Sequence, residues 1–408
     1  MNRRSTQILA LVWAAVMIAV LSSALTLMLS GGGDRMTVTP EEYDRIQRYA
    51  RLDEVRETLM RNYYKPLEED KLVTGAVRGM TASIGDVYTF YYTPEELERE
   101  KEDDAGRYFG IGVLVERNQN GFIEIVRVYS GGPAEEAGLQ PGDLVVSVDG
   151  EAVDALTAAN YSNGVAKMRG EENSQMLLGI RRDGKEMSFN IVRSKLSVSY
   201  TEYTILNGRV GYVAISQFSG DAESRFRDAL EYFKANGVEG MVIDVRNNPG
   251  GYMDYVAHIA DSILPEGVIV YTEDRAGQRE YLRSDADYYD IPLVVLVNDM
   301  SASASEILAA SVQALDRGKV VGVTTYGKGV VQTLTTFRED GAGMQYTTAS
   351  YFDANGRSIN GVGVTPDIEV PLEGSHVPYL PDPESDNQLA AALRILTAKT
   401  DTEGSTSP

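Results

Sequence analysis

The spacing of apolar and polar positions changes several times along the chain, and each change predicts a different kind of element. Residues 8–29 are an unbroken run of 22 residues without a charge, preceded by Arg3 and Arg4 and followed by "GGGDR". Roughly 20 apolar residues cross a bilayer, so the run predicts one transmembrane helix. The alternative is a cleaved leader, although a leader's apolar segment is usually about 7–15 residues. With Arg3 and Arg4 before the run, the positive-inside rule leaves the first residues in the cytoplasm and everything after Gly31 outside. Residues 36–105 then take up helical spacing. Thr39-Pro40-Glu41 is a cap followed by proline at the first helical position, and Leu52, Val55, Leu59 and Tyr63 form one apolar stripe. A second helix opens at "TPEELEREKEDD". Nothing in this region suggests chemistry; it reads as packing or dimer-forming structure.

From about residue 108 to residue 193 the period falls to that of short strands: "GIGVLVER", "GFIEIVRVY", "DLVVSVDG", "QMLLGIRRDG" and "EMSFNIVR". Between them, "GGPAEEAGLQPGDLVVSVDG" joins a glycine-proline turn, a short helix, a Pro-Gly-Asp turn and a strand. This order resembles a PDZ domain, a mainly-β module. The resemblance implies that a peptide adds a strand to a sheet edge while a glycine-containing loop offers N–H groups to its terminal carboxylate. "YFGIG" is the candidate loop, which makes Phe109, Gly110, Ile111 and Gly112 the candidate peptide-binding residues; the alternative is that its glycines are ordinary turn residues. "TAANYSNGVAKMRG" is the candidate groove helix, although Asn163-Gly164 are poor helix formers.

Beyond Ser194 the pattern is α/β. "RVGYVAISQF" reads as a strand, "DAESRFRDALEYFKANG" as a helix, and "GMVIDVRNNPGG" as a buried strand running into a glycine turn. A helix, the apolar run "PLVVLVN", the segment "SASASE" and a further helix follow. Two strand-to-helix turns, at residues 248–251 and 301–305, therefore aim helix N-termini outward, where free N–H groups and the helix dipole favour anions. Ser303 and Glu306 have capping-box spacing. The tail after residue 376 carries "LAAALRIL", a terminal helix, before a polar end.

Composition narrows the chemistry. The 408 residues carry a formal net charge of −22, which disfavours nucleic acid as a partner because phosphate binding needs a clustered basic surface. No cysteine occurs, so disulfides, thiolate nucleophiles and zinc–thiolate sites are excluded. The two histidines, His258 and His376, leave little material for a metal site. A serine is a poor nucleophile unless a neighbouring base takes its proton. His258 sits inside a helix as surface or packing, and His376 lies in the tail. A lysine can serve when burial lowers its pKa from ~10.4 to about 7–8. Lys328, flanked by Gly327 and Gly329 in an otherwise apolar stretch, is the candidate, and Gln332 falls on its side of the chain whether the segment is helical or extended.

"DVRNNPGG", "VLVNDMSASASEILA", "TYGKGVVQ" and "YFDANGRSINGVGVTPDIEV", in this order, resemble the carboxyl-terminal processing peptidases, the tail-specific serine proteases of peptidase family S41, over residues 107–371. The resemblance implies a crotonase/ClpP-like α/β catalytic core with an inserted PDZ domain. It makes Ser303 the nucleophile, Lys328 the general base and Gln332 the residue that orients the lysine. Its oxyanion hole of backbone N–H groups falls on Ala304 and the glycine turn, with Gly251 first and Gly250 second. "YFDANGRSINGVGVTPDIEV" reads as core structure without chemistry. No metal or other cofactor is implied. Unfolded protein or peptide C-termini are the implied partners, and a homodimer is implied through the N-terminal helices.

The resulting expectation is a single-pass cell-membrane protein with its catalytic part extracytoplasmic. Its regions are a cytoplasmic N-terminus and anchor (1–35), a helical region (36–105), a PDZ domain (106–195), a peptidase core (196–375) and a C-terminal helix with a polar tail (376–408). Two other functions remain compatible with the fold: a catalytically silent peptide-binding scaffold, and a crotonase-like acyl-CoA enzyme, against which the lysine, the PDZ insert and the anchor argue.

Overall fold

The computed structural model describes residues 3–30, 39–118, 120–129, 131–156, 158–197, 199–373 and 381–403. His376 and the polar end after residue 403 lie outside the described residues. Contacts divide the chain into two units, Met1–Gly79 and Met80–Pro408.

The first unit is helical. Arg3–Ser30 is a helix of 28 residues. Among the described residues no helix is long and apolar enough to cross a membrane, so the transmembrane helix expected at residues 8–29 is not supported. The helix Pro40–Asn62 starts where Thr39 predicts it. Thr39 N–H donates to Glu42 Oε2 at 2.7 Å and Glu42 N–H to Thr39 Oγ1 at 3.2 Å, a complete capping box. Its stripe of Leu52, Val55, Leu59 and Tyr63 is exposed within this chain. A further helix, Glu69–Ala82, went unread in the sequence because Gly75 and Gly79 depress its propensity.

The second unit is built on a six-stranded sheet in the order Thr201–Leu206, Val210–Ile215, Gly240–Asp244, Leu293–Val297, Lys319–Gly322 and Ile368–Glu369. The first pair is antiparallel and the others are parallel. Alternation along each strand assigns its two faces. Val213, Ile215, Met241, Ile243, Leu293, Val295 and Val297 pack under the helices Ala222–Ala235, Met253–Asp261 and Ala304–Ala314. Tyr212, Ala214, Val242, Val294 and Leu296 pack under the C-terminal helix Asn387–Glu403. Burial on both faces is why these strands read as continuous apolar runs. A second, antiparallel sheet is centred on Gly343–Phe352, which pairs with Phe90–Tyr92, Gly267–Asp274 and Val330–Thr336.

Residues 113–192 form a separate five-strand antiparallel path with its own core around Ile123, Val145, Leu178 and Ile180. A two-stranded ribbon, Arg107–Gly110 with Ser194–Ser197, flanks this module in the chain. The groove helix forms at Ala158–Met168 despite Gly164. A Cβ at Gly164 would stand 2.4 Å from Ile123 Cδ1, so glycine lets this helix lie against its sheet.

The C-terminal helix is locked by charge as well as by packing. Arg246, at 1% side-chain exposure, lies between Asp244 (2%) and Asp386 (4%), with Nη2 at 2.5 and 2.7 Å from their carboxylates. Arg246 Nη1 also donates to Gln388 Oε1 at 2.9 Å, and Asp386 Oδ1 caps the helix by accepting from Leu389 N–H at 3.0 Å. Replacing Asp386 by Ala removes the cap and half the counter-charge of a buried guanidinium. Urea denaturation is expected to show a loss of about 3 kcal/mol, with Asp386→Asn losing less.

Candidate active site

Adjacent parallel strands bring two loops together. Asp244 is paired with Leu296, so the turns that follow Gly240–Asp244 and Leu293–Val297 emerge side by side at the carboxyl edge of the sheet. The three serines of "SASASE" divide the work there. Ser301 Oγ donates to Val245 O at 2.8 Å, Ser305 Oγ donates to Asn248 O at 2.9 Å, and Ala302 N–H donates to the same Asn248 carbonyl at 3.0 Å. The outer hydroxyls thus fasten the serine turn to the glycine turn. Ser303, between them, faces a cavity of 410 Å³.

Ser303 occupies the N-cap of the helix Ala304–Ala314 with φ 55° and ψ −114°, and Glu306 N–H donates to its carbonyl at 2.9 Å. Positive φ is costly for a residue with a Cβ, on the order of 1–3 kcal/mol, and persists only where surroundings impose it. Here the imposing group is Glu306, which is fully buried. Its Oε2 accepts from Ser303 N–H at 2.9 Å and from Lys328 N–H at 2.8 Å, and its Oε1 accepts from Gly327 N–H at 2.7 Å and Thr325 Oγ1 at 2.5 Å. The sequence showed Glu306 only as a cap; its other donors lie in the lysine turn. Tyr351, read from the sequence as core, has its hydroxyl against the carbonyls of Ser303 (3.2 Å) and Lys328. Burial, reinforced by Glu306 and then Tyr88, raises the Tyr351 phenol well above its usual range, so it remains a donor.

The glycine turn closes over the serine. Gly250 has φ 111° and Gly251 φ 140°, conformations that suit only glycine. A Cβ at Gly250 would lie 2.7 Å from Ser303 Cβ, and one at Gly251 would lie 2.4 Å from Phe218 O. Gly250 N–H donates to Asn248 Oδ1 at 2.8 Å and is therefore occupied. Among the described residues no acceptor stands against the N–H of Gly251 or Ala304, and both residues line the cavity.

Lys328 and Gln332 line the same cavity. Lys328 is half-buried, and its Nζ lies 4.6 Å from the centre of the Tyr88 ring. Burial lowers its ammonium below the usual lysine range, against the opposing pull of Asp86 and Glu306. Gln332 sits at a bulge beside Val331, and its Nε2 donates to Thr347 Oγ1 at 3.3 Å and Val330 O at 3.4 Å. Among the described residues no hydrogen bond links Lys328 Nζ to Ser303 or Gln332.

A second cavity, of 440 Å³, runs between the strand Val113–Arg117 and the helix Ala158–Met168. Gly110, Ile111 and Gly112 line it; Phe109 does not, and its ring lies 5.8 Å from Lys195 Nζ. Glu100, Asp104 and Gln217 line both cavities, which are therefore neighbours.

Comparison with known proteins places the chain in a family. The family model of peptidase family S41 matches residues 209–370, a PDZ domain model matches 124–182, and a model described as the activating protease CtpB N-terminal domain matches 31–96. Over 380 residues the chain is 31% identical to the carboxy-terminal processing protease CtpA of Bacillus subtilis (strain 168), covering 91% of this chain and 79% of that protein. It is 32% identical over 324 residues to the Probable CtpA-like serine protease of Staphylococcus aureus (strain COL), covering 78% of this chain and 64% of that one. Among solved structures, a photosystem II D1 C-terminal processing protease superposes with a TM-score of 0.54 at 27% identity, over 85% of this chain and 96% of its own. The chain therefore belongs to peptidase family S41, with a PDZ domain, and is a serine-type peptidase.

Proposed function

We propose that the chain is a membrane-anchored, extracytoplasmic endopeptidase that captures unfolded C-terminal tails in its PDZ groove and cleaves them with Ser303 and Lys328, supported by Gln332. One observation carries this reading: the strained Ser303, the partly buried Lys328 and the unbonded N–H groups of Gly251 and Ala304 share one cavity. In the proposed sequence the tail's terminal carboxylate binds beside Gly110, Ile111 and Gly112, and the chain passes Glu100, Asp104 and Gln217 to reach Ser303.

Neutral Lys328 leaves the Tyr88 face and takes the proton of Ser303 Oγ as the oxygen attacks the peptide carbonyl. Gly251 and Ala304 N–H donate to the oxyanion. The lysine ammonium then protonates the leaving amine, and water hydrolyses the acyl-enzyme. Gln332 Oε1 accepts a hydrogen bond from the lysine without adding a charge that would raise its pKa. Residues 8–29 supply the anchor in this reading, and the exposed stripe of Leu52, Val55 and Leu59 supplies a homodimer contact.

Ser303→Ala and Lys328→Ala are each expected to lower kcat for an unstructured peptide by about 10³-fold or more, with peptide binding retained. Gly251→Ala is expected to lose about 10²–10³-fold. Amidating the substrate C-terminus is expected to raise KM. Binding without cleavage by the unaltered chain would identify a silent scaffold instead, and undiminished cleavage by Ser303→Ala would remove the mechanism.

Only the neutral lysine accepts a proton, so kcat/KM should rise with pH through the Lys328 pKa. Because burial lowers that pKa, the rise should come below the ordinary lysine range; a rise centred at or above ~10.4 would contradict this.

In carbonate-washed membranes the full chain should remain bound, be digested by protease added from outside, and crosslink as a dimer. Release into the wash argues against the anchor.

A further inference from the structure

Residues 83–89, "SIGDVYT", carry no chemistry in the sequence reading, yet they reach the site. The strand Phe90–Tyr92 pairs antiparallel with Gly343–Phe352, Phe90 opposite Gln345. That pairing carries Asp86 to Thr347. Thr347 Oγ1 donates to Asp86 Oδ2 at 2.6 Å, Thr89 Oγ1 donates to the same oxygen at 2.7 Å, and Tyr88 N–H donates to Asp86 Oδ1 at 3.0 Å. Burial pushes the Asp86 carboxyl upward, but the hydrogen bonds from Thr347, Thr89 and Tyr88 N–H, followed by the charge of Lys328, outweigh it and hold the group below the usual carboxylate range. Asp86 is therefore an anion.

The proton count along this chain of bonds has a consequence for Gln332. An ionised carboxylate only accepts, and a threonine hydroxyl has one proton to give. Thr347 gives that proton to Asp86, so toward Gln332, its register partner across the sheet, it can only accept. The group of Gln332 that lies 3.3 Å from Thr347 Oγ1 must be the amide nitrogen. The amide oxygen is then left for a donor, and Lys328, which lines the same cavity, carries a side-chain amine with no hydrogen-bond acceptor among the described residues. Asp86 thus settles an orientation that the two ends of an amide would otherwise share.

We infer that Asp86 is a positioning residue of the peptidase site: through Thr347 it sets the facing of the Gln332 amide, and together with the Tyr88 ring it holds the Lys328 ammonium before substrate arrives. This inference rests on the proposed roles of Ser303, Lys328 and Gln332. The charged and titratable groups facing Lys328 are Asp86 and Tyr88 from the segment before Phe90–Tyr92, Tyr326 beside Tyr88, Glu306 from the helix Ala304–Ala314, Tyr351 from Gly343–Phe352, and Glu100 and Asp104 across the cavity. Asp86 is the larger of the two anionic influences that raise the lysine pKa, ahead of Glu306.

The test measures pH profiles of peptide hydrolysis with the full chain, with thermal melting as the check on folding. Asp86→Asn keeps an acceptor oxygen for Thr347 but removes the charge. Lys328 then loses a proton more readily, and the rising limb of kcat/KM should move to lower pH by about one pH unit. Thr347→Val removes the relay and keeps the charge. It should lower kcat about 10-fold or more with KM little changed, Thr347→Ser should restore most of the loss, and Thr347→Val should add nothing in a Gln332→Ala background. An unshifted limb in Asp86→Asn, or additive losses for Thr347→Val and Gln332→Ala in folded protein, overturns the inference. Ser303→Ala and Lys328→Ala separate the two levels. If both are inactive while the limb stays unshifted, only the role of Asp86 falls; if either keeps full turnover, the underlying assignment falls with it.

Discussion

A buried carboxylate is costly unless donors replace its water shell, and Glu306 has found four: the N–H groups of Ser303, Gly327 and Lys328 and the hydroxyl of Thr325. The rest of the site depends on this arrangement. One oxygen, Oε2, accepts from both Ser303 and Lys328, so the backbones of the proposed nucleophile and base meet at a single atom. Removing the carboxylate would leave those donors unpaired inside the protein, each costing about 1–3 kcal/mol. The positive-φ conformation of Ser303 would also lose a contact that supports it. Tyr351 repeats the tie from the opposite side, with its hydroxyl against the carbonyls of the same two residues.

The scaffold beneath gives this tie its rigidity. Two neighbouring parallel strands, apolar on both faces, end in register and deliver the glycine turn and the serine turn to the same edge. Ser301 and Ser305 then spend their hydroxyls on carbonyls of the first turn, and Asn248 spends its side chain on Gly250 N–H and Ile215 O. Of the N–H groups considered for the oxyanion, this leaves Gly251 and Ala304. The absence of a Cβ at Gly250 allows the turn to approach Ser303. Glycine-rich sequence at this point therefore reflects close packing as much as donor geometry.

How far the sequence could be read follows from the range of each interaction. Strand alternation, the Thr39 cap and the spacing of "SASASE" are local, and the corresponding elements form where the pattern predicts them. The cavity that joins Ser303, Lys328 and Gln332 was legible through motif resemblance, because their separation in sequence exceeds any periodic signal. The further donors to Glu306 were not legible: they lie 19 to 22 residues away and meet it only after an intervening strand has entered the sheet. Asp86 was hidden more deeply, since its bond to Thr347 crosses 261 residues and depends on an edge strand of three residues. Phe109, taken with Gly110, Ile111 and Gly112 as one candidate loop, does not line the groove cavity, and its ring lies against Lys195.

The state of Lys328 follows from opposing influences of unlike range. Burial favours the neutral amine, while Asp86, Glu306 and the Tyr88 ring face favour the ammonium. Desolvation acts wherever the side chain lies inside the cavity, whereas attraction to a ring face fades within about 6 Å. A shift of the amine from Tyr88 toward Ser303 therefore weakens the attraction of the ring face and leaves the effect of burial, while Glu306, bonded to the backbone of both residues, stays near. In the proposed mechanism, the same movement that brings the lysine to the serine also makes it a stronger candidate for proton acceptance. In that same proposal the anion that draws the lysine toward Tyr88, Asp86, also orients through Thr347 the amide that is to receive the amine.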